Sequence, residues 1–483
     1  MLAVIVYQLL PTTYADIDGA LIELSSSARL AAAVAVLMAT WWITEAISVY
    51  ATALLPLALF PVLGISGMHA TAASYGNEIV YLFLGGFIVA LSLERWGLHR
   101  RLALNVLAAV GPQPRAIIGA FMVVSASLSM WVTNTATTIM LLPVAVSVIN
   151  LLPGDDLKDG KADSPFSVCL LLGIAYASSI GGMGTIIGTA PNVFVVSFIQ
   201  ENLQYKIGFV EWMLFALPLV IVFIPIAWLV LTRLVFPVGA QVLPGAAELL
   251  EKERDQLAPF SRGEVLTLCV FMITAAAWIS RPLLNRIEIA GMYPLEGLSD
   301  PGIAVLAALV LFVTPVSLRR REFLMDWSTA VRLPWGLLIL FGGGLALAAA
   351  LVDTGFSYYF GNLVTGLNTL PAWIIVLLTT AAVVFLTELT SNTATTATIV
   401  PILLAVAIGL ELPPLLLILP AAFAASSAFM LPVATPPNAI VFGSNLLRVG
   451  QMSRAGIWLN LVAIVLITGA SYIIILPALG INL

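Results

Sequence analysis

The sequence predicts an all-α polytopic membrane protein of inverted repeats, with about eleven transmembrane helices, two re-entrant hairpins and two broken helices. Of its 483 residues, 61% are hydrophobic and 9% are charged, whereas soluble domains carry roughly 25% charged residues. Apolar runs longer than about 18 residues recur from end to end, as in a protein with many membrane-spanning helices. The polar sequence Asn-Thr-Ala-Thr-Thr also occurs twice inside apolar surroundings, at 134–138 and 392–396.

Residues 1–77 are predicted to supply supporting scaffold helices. Residues 1–10 are apolar but too short to cross a bilayer, which takes about 20 residues, and Pro11 ends them. Helices are predicted at 28–45 and 47–64. No cleavable signal peptide is expected, since the first residues lack a basic region and a small-residue cleavage site.

The first repeat is predicted over residues 78–236, and its most informative stretch is uncharged. Residues 116–154 contain no Lys, Arg, Asp or Glu. As one helix these 39 residues would be about 58 Å long, nearly twice the thickness of the hydrocarbon core. The chain must therefore fold back, and we predict a re-entrant hairpin over residues 116–149 with Asn134 at its tip.

A broken helix is predicted after this hairpin, over residues 166–200. It contains Gly181-Gly-Met-Gly184 and Gly188-Thr-Ala-Pro-Asn192. Glycine and proline at this density interrupt a helix and leave backbone groups unpaired at membrane depth. The other elements predicted in this repeat are helices at 78–97 and 210–236 and a surface helix at 98–114.

The second repeat is predicted over residues 263–483, after a charged cytoplasmic linker at 237–262. Its hairpin is predicted over 371–408 with Asn392 at the tip. Its broken helix is predicted over 413–447, where the sequence Pro-Val-Ala-Thr-Pro-Pro-Asn ends at Asn438. The other predicted elements are helices at 263–282, 301–318, 335–352 and 456–477 and a surface helix at 319–333.

Three matches in the same order relate the two halves. Gly85-Gly86 matches Gly342-Gly343 at a spacing of 257, Asn134 matches Asn392 at 258, and Asn192 matches Asn438 at 246. The paired glycines are interpreted as close-packing positions. The order of these matches indicates that the halves are repeats of one unit.

The distribution of Lys and Arg predicts how the repeats lie in the cell (inner) membrane. With a cytoplasmic N-terminus and an external C-terminus, 16 of the 20 Lys and Arg are cytoplasmic, Lys158 and Lys161 among them. The four on the outer side are Arg29, Lys206, Arg281 and Arg286. The first hairpin then lies on the cytoplasmic side and the second on the outer side. The repeats are therefore predicted to be inverted, as is typical of multi-pass transporters in membrane lipid.

The hairpin tips and helix breaks bring together groups suited to both anions and cations. The second arm of each hairpin begins with free N–H groups and the positive end of its dipole, which favour an anion. The first arm ends in free carbonyls, and the breaks add more at Gly188 and Ala434. Side-chain oxygens would complete an all-oxygen shell, which suits a hard cation such as Na⁺. These oxygens come from Ser129, Asn134, Thr387 and Asn392.

No Lys or Arg lies in 116–157 or 355–447. Hydroxyls and dipoles alone would hold a dianion weakly, so the sequence favours a co-bound cation. Glu45 and Glu388 are interpreted as pairing locally with helix ends or hydroxyls, with an ion or proton site as the alternative.

These motifs resemble those of the divalent anion/sodium symporter family. Thr133-Asn134-Thr135 and Ser391-Asn392-Thr393 resemble its paired Ser-Asn-Thr signatures, while Gly188–Asn192 and Ala434–Asn438 resemble its paired Thr-Pro-Pro-Asn breaks. Trp41-Trp-Ile-Thr-Glu-Ala-Ile47 resembles a further family stretch. The resemblance implies a homodimer with scaffold and transport domains, elevator-type movement, and uptake of C4-dicarboxylates with Na⁺.

The resemblance also implies two sodium sites and one substrate site. The first sodium site would use Ser129, Thr133, Asn134 and Gly188. The second would use Thr387, Thr390, Asn392 and Ala434. Substrate carboxylates would contact Asn134, Thr135, Thr189, Ser391, Asn392, Thr393, Thr435 and Pro436. The family pattern has Ser where this chain has Thr133 and Pro where it has Ala190, so the first half departs from the pattern.

Several other functions are considered. A sodium-independent dicarboxylate exchanger and a carrier of another divalent anion, such as citrate or sulfate, stay open. An ion channel would be expected to carry a selectivity sequence such as Thr-Val-Gly-Tyr-Gly, which is absent. Gly64-Ile-Ser-Gly67 resembles a membrane serine-protease motif, but no later predicted span contains a histidine to activate the serine. The protein is therefore not expected to be an enzyme, and His69 and His99 are expected to be solvated. Without a basic stripe, no nucleic-acid partner is expected.

Overall fold

The computed structural model describes residues 2–15, 20–152, 164–289 and 291–480. Within that part of the chain, eight helices are long and apolar enough to cross a membrane, and six further apolar helices are shorter. The structure confirms the predicted all-α polytopic membrane fold. Lys158 and Lys161, which were assigned to the cytoplasmic side, lie outside the described residues.

The N-terminal region is made of short elements around one long helix. These are α1 (Leu2–Leu9), β1 (Thr13–Ala15) paired antiparallel with β2 (Leu21–Glu23), α2 (Ser26–Thr44), α3 (Val49–Thr52), α4 (Leu55–Leu63), α5 (Met68–Ala73) and a 3-10 turn Ser74–Gly76. The helix predicted at 47–64 is present as one apolar segment, Val49–Leu63, but a short turn divides it into α3 and α4. Pro56 has no N–H to donate to the Thr52 carbonyl, so the helix ends and starts again.

The first repeat contains a hairpin whose arms are too short to span a bilayer. Its elements are α6 (Glu78–Arg95), α7 (Leu98–Ala108), α8 (Pro114–Ser129), α9 (Asn134–Ile149), α10 (Pro165–Gly182), α11 (Ala190–Leu203) and α12 (Phe209–Leu229), which continues into a π-helical turn Val230–Val235. Arms α8 and α9 have 16 residues each, or about 24 Å against a hydrocarbon core of about 30 Å. Surface helix α7 ends at Ala108, short of the predicted 114, because Gly111 and Pro112 follow.

The linker contains one helix, α13 (Ala246–Asp255), which packs on α7. Arg100 forms an ion pair with Glu253 at 3.3 Å. Arg101 forms an ion pair of 2.7 Å with Glu264 and donates to the carbonyl of Ala258 at 2.6 Å. These contacts fix the linker to the surface helix of the first repeat.

In the second repeat, α17 (Trp335–Asp353) and the helices after it follow the order of α6 to α12, and further elements precede them. Its elements are α14 (Arg262–Leu284), α15 (Asp300–Val313), β3 (Pro315–Ser317), β4 (Glu322–Phe323), α16 (Trp327–Ala330), α17 (Trp335–Asp353), α18 (Phe356–Leu363), a 3-10 turn Thr365–Thr369, α19 (Ala372–Thr387), α20 (Asn392–Gly409), α21 (Leu415–Ala425), α22 (Pro436–Phe442), α23 (Val449–Ala470), a π-helical turn Ser471–Ile475 and α24 (Leu476–Ala478).

The surface helix predicted at 319–333 is wrong. Strands β3 and β4 form a small antiparallel hairpin there, and Arg321 in its turn has a left-handed backbone with φ 51°. Asp326 then caps the short helix α16 by accepting the N–H of Thr329 at 2.8 Å, and it forms an ion pair with Arg95 at 2.6 Å. Because the cap begins a new helix at 327, one helix cannot run through the segment.

The core lies around the first segments of the two broken helices. Every residue of α21 and nearly every residue of α10 is buried. The two breaks therefore lie inside the protein rather than against lipid, where unpaired backbone groups would be costly. The halves also interlock, because α6 of the first repeat packs along α15 of the second. A Cβ at Gly85 would lie 2.5 Å from the carbonyl carbon of Ala304, which confirms the interpretation of this glycine as a close-packing position.

We expect G85A to destabilise the protein by about 1–3 kcal/mol, the usual cost of overpacking, because the added methyl group would push α6 away from α15. The matched control is G469A in α23, where nothing lies within 4 Å of a Cβ. G469A should be neutral or slightly stabilising, since alanine favours a helix. Thermal unfolding of the purified proteins in detergent measures both changes. A melting temperature of G85A equal to that of the wild type would contradict the close contact.

Candidate functional site

Both hairpin tips and both helix breaks line one cavity of about 1120 Å³. The structure brings together twelve of the fourteen predicted site residues on its surface, from both halves of the chain. They are Thr133, Asn134, Thr135, Gly188, Thr189, Thr390, Ser391, Asn392, Thr393, Ala434, Thr435 and Pro436. The other two, Ser129 and Thr387, are fully buried behind the tips.

Each predicted asparagine begins the second arm of its hairpin. Asn134 is the first residue of α9, and Asn392 is the first residue of α20. The capping position belongs to the residue before, and Thr133 there accepts the N–H of Ala136 at 3.2 Å. Ser391 holds the same position but makes no side-chain cap bond. The free N–H groups of two helix starts therefore lie beside the cavity.

Behind each tip, one hydroxyl lies within hydrogen-bond distance of two oxygens. The hydroxyl of Ser129 contacts the amide oxygen of Asn134, and the carbonyl of Ser178 at 2.6 Å. In the second repeat, Thr387 contacts the amide oxygen of Asn392 and the carbonyl of Ala425, each at 2.8 Å. A hydroxyl has one proton and cannot donate to both acceptors at once. Each tip therefore has a surplus of oxygen lone pairs, which a cation could satisfy.

The hydroxyl of Thr390, another predicted ligand, is engaged within its own hairpin. It contacts the Leu386 carbonyl at 3.2 Å and the hydroxyl of Thr395 at 2.5 Å. Like the hydroxyl of Thr387, this predicted ligand oxygen already contacts other protein groups in the structure.

Two asparagines hold the helix breaks. The amide nitrogen of Asn192 donates to the carbonyls of Gly182 at 3.0 Å, Met183 at 3.4 Å and Thr185 at 2.8 Å. That of Asn438 donates to the carbonyls of Ala428 at 3.2 Å and Leu431 at 3.0 Å. Sequence reasoning matched these asparagines between repeats but gave them no structural role.

Gly182 lies in close contact with the first tip and the first break. A Cβ at Gly182 would lie 2.7 Å from the amide oxygen of Asn134 and 3.2 Å from the carbonyl oxygen of Gly188. Glycine therefore lets two oxygens that are predicted ligands approach its backbone closely. Oxygen ligands of this kind fit a hard cation such as Na⁺. Over the described residues, no cluster of three His, Cys, Asp or Glu could hold a metal ion.

Glu388 and Glu45, the two glutamates predicted to lie in the membrane, differ in burial and in hydrogen bonding. Glu388 is buried, and its carboxylate accepts the backbone N–H groups of Phe429, Met430 and Leu431 at 2.7–3.1 Å. The prediction of local pairing is therefore confirmed for Glu388. It is wrong for Glu45, which is exposed at the left-handed end of α2, lines the cavity and makes no hydrogen bond with a described residue.

Fixed positive charge is scarce around the cavity. His99 is buried and lines it, with Nδ1 3.1 Å from the carbonyl oxygen of Leu93, so the predicted solvation is wrong for this residue. Burial lowers the pKa of His99, which disfavours a positive charge on its ring. His69 is exposed, as expected. Of the described residues lining the cavity, Arg332 is the one arginine, and it lies before α17 rather than on a tip.

A polytopic helical membrane protein whose paired hairpins and broken helices meet at one central polar cavity has the architecture of a secondary transporter. The family model for the "Sodium:sulfate symporter transmembrane region" matches residues 19–479. The chain therefore belongs to this family of divalent anion/sodium symporters, which its motifs resemble.

Curated relatives match along most of their length. The sodium-dependent dicarboxylate transporter SdcS of Staphylococcus saprophyticus is 39% identical over 465 residues, which are 95% of this chain and 88% of the relative. SdcS of Staphylococcus aureus strain USA300 is 39% identical over 457 residues, which are 93% of this chain and 86% of the relative.

Two solved structures share the fold. The YdaH transporter of Alcanivorax borkumensis matches with a TM-score of 0.58 and 12% identity, over 99% of this chain and 96% of its own. MtrF of Neisseria gonorrhoeae matches with a TM-score of 0.61 and 14% identity, over 99% of this chain and 94% of its own. At these identities the likeness is one of fold alone.

We expect G182A to raise the Na⁺ concentration needed for half-maximal thermal stabilisation by roughly 10-fold or more, because the methyl group would lie against two ligand oxygens. The control is G469A, which adds a methyl group where nothing lies within 4 Å of a Cβ, and its Na⁺ midpoint should equal that of the wild type. Na⁺ titrations with choline replacing Na⁺ measure both responses. An unchanged Na⁺ midpoint in G182A would show that no ion binds beside Gly182.

Proposed function

We propose that the protein is a sodium-coupled symporter that takes up C4-dicarboxylates of the succinate, malate and fumarate type. The observation that carries this proposal is the meeting of two equivalent tips and two equivalent breaks at one cavity. The relatives named as sodium-dependent dicarboxylate transporters support the substrate class and the ion. The family description, which names sulfate, makes sulfate the main alternative substrate.

A dicarboxylate has two charged ends, and the cavity has two tips. Each tip offers an asparagine amide, hydroxyls and the N–H groups of a helix start, so each tip binds one carboxylate. The first set of groups is Asn134, Thr135 and Thr189. The second is Ser391, Asn392, Thr393, Thr435 and Pro436. All of them line the cavity.

Sodium supplies the positive charge that the tips lack. No Lys or Arg lies in 116–157 or 355–447, so a dianion bound at the tips has no fixed counter-charge on them. Two Na⁺ ions held by the surplus oxygens would compensate it, and substrate and ions would bind together. The first ion would use Ser129, Thr133, Asn134 and Gly188. The second would use Thr387, Thr390, Asn392 and Ala434.

The cavity is bounded on its other side by α2, α6 and α17, and charged side chains line it there. These are Glu45, Glu94 and Arg332. We infer from the distribution of Lys and Arg that this side is cytoplasmic, and we propose that the structure corresponds to an inward-open state. The hairpins and broken helices then move past α2, α6 and α17 as one body, in an elevator-type cycle. We further propose a homodimer, as the resemblance to the family implies.

The direct experiment is uptake of labelled succinate into proteoliposomes with and without an inward Na⁺ gradient. N134A and N392A should each weaken substrate binding by roughly 10- to 150-fold, because each removes hydrogen bonds to a charged carboxylate. N150A, which changes an exposed asparagine outside the cavity, is the control.

An uptake rate that is the same with and without the Na⁺ gradient would favour the sodium-independent exchanger. Unlabelled citrate and sulfate as competitors test the alternative substrates.

Inverted repeats predict opposite accessibility for two exposed positions. In a background without the exposed Cys269, N150C should react with a membrane-impermeant maleimide from the cytoplasmic side. N368C, just before the second hairpin, should react from the outside. Intact cells and inside-out vesicles provide the two measurements. Reaction of both positions from the same side would contradict the inverted arrangement.

A further inference from the structure

The two helix breaks occupy equivalent places but are held by different contacts. Asn192 and Asn438 bind the carbonyls of their breaks in the same way in both repeats. The difference comes from the residue that follows the first arm of each hairpin. It is Met130 in the first repeat and Glu388 in the second, at the same spacing of 258 that separates Asn134 from Asn392. The second repeat therefore has a carboxylate where the first has a thioether.

The carboxylate of Glu388 binds three consecutive N–H groups of the second break. Its Oε1 accepts the N–H of Phe429 at 2.7 Å and that of Met430 at 2.9 Å, while Oε2 accepts that of Leu431 at 3.1 Å. Asn460 of α23 donates its side-chain amide to Oε1 at 2.8 Å. All four partners are donors, which is the pattern that an ionised carboxylate requires.

The first break closes on its own backbone instead. The N–H groups of Met183 and Gly184, which match Phe429 and Met430, bond to the carbonyls of Ile180 at 3.2 Å and Gly181 at 2.8 Å.

Two glycines in contact make this closure possible. A Cβ at Gly188 would collide with the carbonyl oxygen of Gly182. The second repeat has Ala428 and Ala434 at the matching places. Those methyl groups prevent the same close approach, and Glu388 takes over the role of holding the break.

The charge of Glu388 has no fixed counter-charge. It belongs to none of the ion pairs between described residues. Two predicted sodium ligands lie close in the chain to Glu388 or to a residue that it holds. Thr387 directly precedes it, and Ala434 lies three residues after Leu431, whose N–H group Glu388 accepts. A Na⁺ ion bound at the second site would lie near this carboxylate and would supply the missing positive charge.

We propose that Glu388 is a positioning residue that makes the two sodium sites unequal. Its carboxylate fixes the backbone that leads to Ala434, and its negative charge strengthens Na⁺ binding in the second repeat. The second site then fills at a lower Na⁺ concentration than the first. This inference rests on the proposed sodium coupling and adds an order of ion binding to it.

The test is Na⁺-induced thermal stabilisation of the purified protein without substrate, with choline keeping the ionic strength constant. E388Q should raise the Na⁺ midpoint by roughly 10-fold or more, since it removes a nearby negative charge. M130L, at the matching position of the first repeat, should keep the wild-type midpoint. N460A removes a neutral donor from the carboxylate but leaves its charge. It should lower the melting temperature in choline while the Na⁺ midpoint stays within about 3-fold of the wild type.

The outcomes separate charge from structure. An unchanged Na⁺ midpoint in E388Q overturns the inference, as do equal shifts in E388Q and N460A, because geometry alone would then explain them. If E388Q does not fold, E388D decides, since it keeps the charge but shortens the side chain. A midpoint within about 3-fold of the wild type supports the inference, and a shift of about 10-fold overturns it. Wild-type protein that Na⁺ does not stabilise would instead contradict the proposed function.

Discussion

A site at the centre of this protein has to hold opposite charges with groups that are almost all neutral. Residues 116–157 and 355–447, which include both hairpin tips and the second broken helix, contain no Lys or Arg, and the groups lining the cavity at the tips are amides, hydroxyls and ends of helices. Such groups bind an anion and a cation well when both are present, and each poorly alone, because dipoles compensate charge only in part at low dielectric. The proposed coupling of substrate to Na⁺ follows from this constraint.

The need to hydrogen-bond the backbone groups of the broken helices explains the architecture around the site. A helix that breaks inside a membrane protein exposes N–H and C=O groups that water cannot reach. Here the carbonyls are held by Asn192 and Asn438, and the N–H groups either turn back on the backbone or bind Glu388. With these groups paired, the remaining oxygens at the tips are left free for ligands. Each repeat uses one asparagine in this way, which explains why asparagine occurs at matching places in the two halves.

Sequence reasoning located the elements of the site well because the chain contains each of them twice. The hairpins followed from a long uncharged stretch and from paired Asn-Thr-Ala-Thr-Thr sequences, and the breaks followed from paired Pro-Asn motifs. It failed where one residue overrides a pattern. Asp326 starts a new helix inside the predicted surface helix at 319–333, and Pro56 divides the helix predicted at 47–64. The burial of His99 and the contacts of Glu388 depend on segments far apart in the chain, so periodicity could not predict them.

The central claim is that one dicarboxylate bridges the two tips and that Na⁺ is needed to hold it there. Cryo-electron microscopy of the protein with succinate, once in Na⁺ and once in choline, measures this directly. The account predicts density between Asn134 and Asn392, with one carboxylate at each tip, in the Na⁺ sample and its absence in choline. Substrate density away from the tips, or equal density at the tips in both samples, would contradict it.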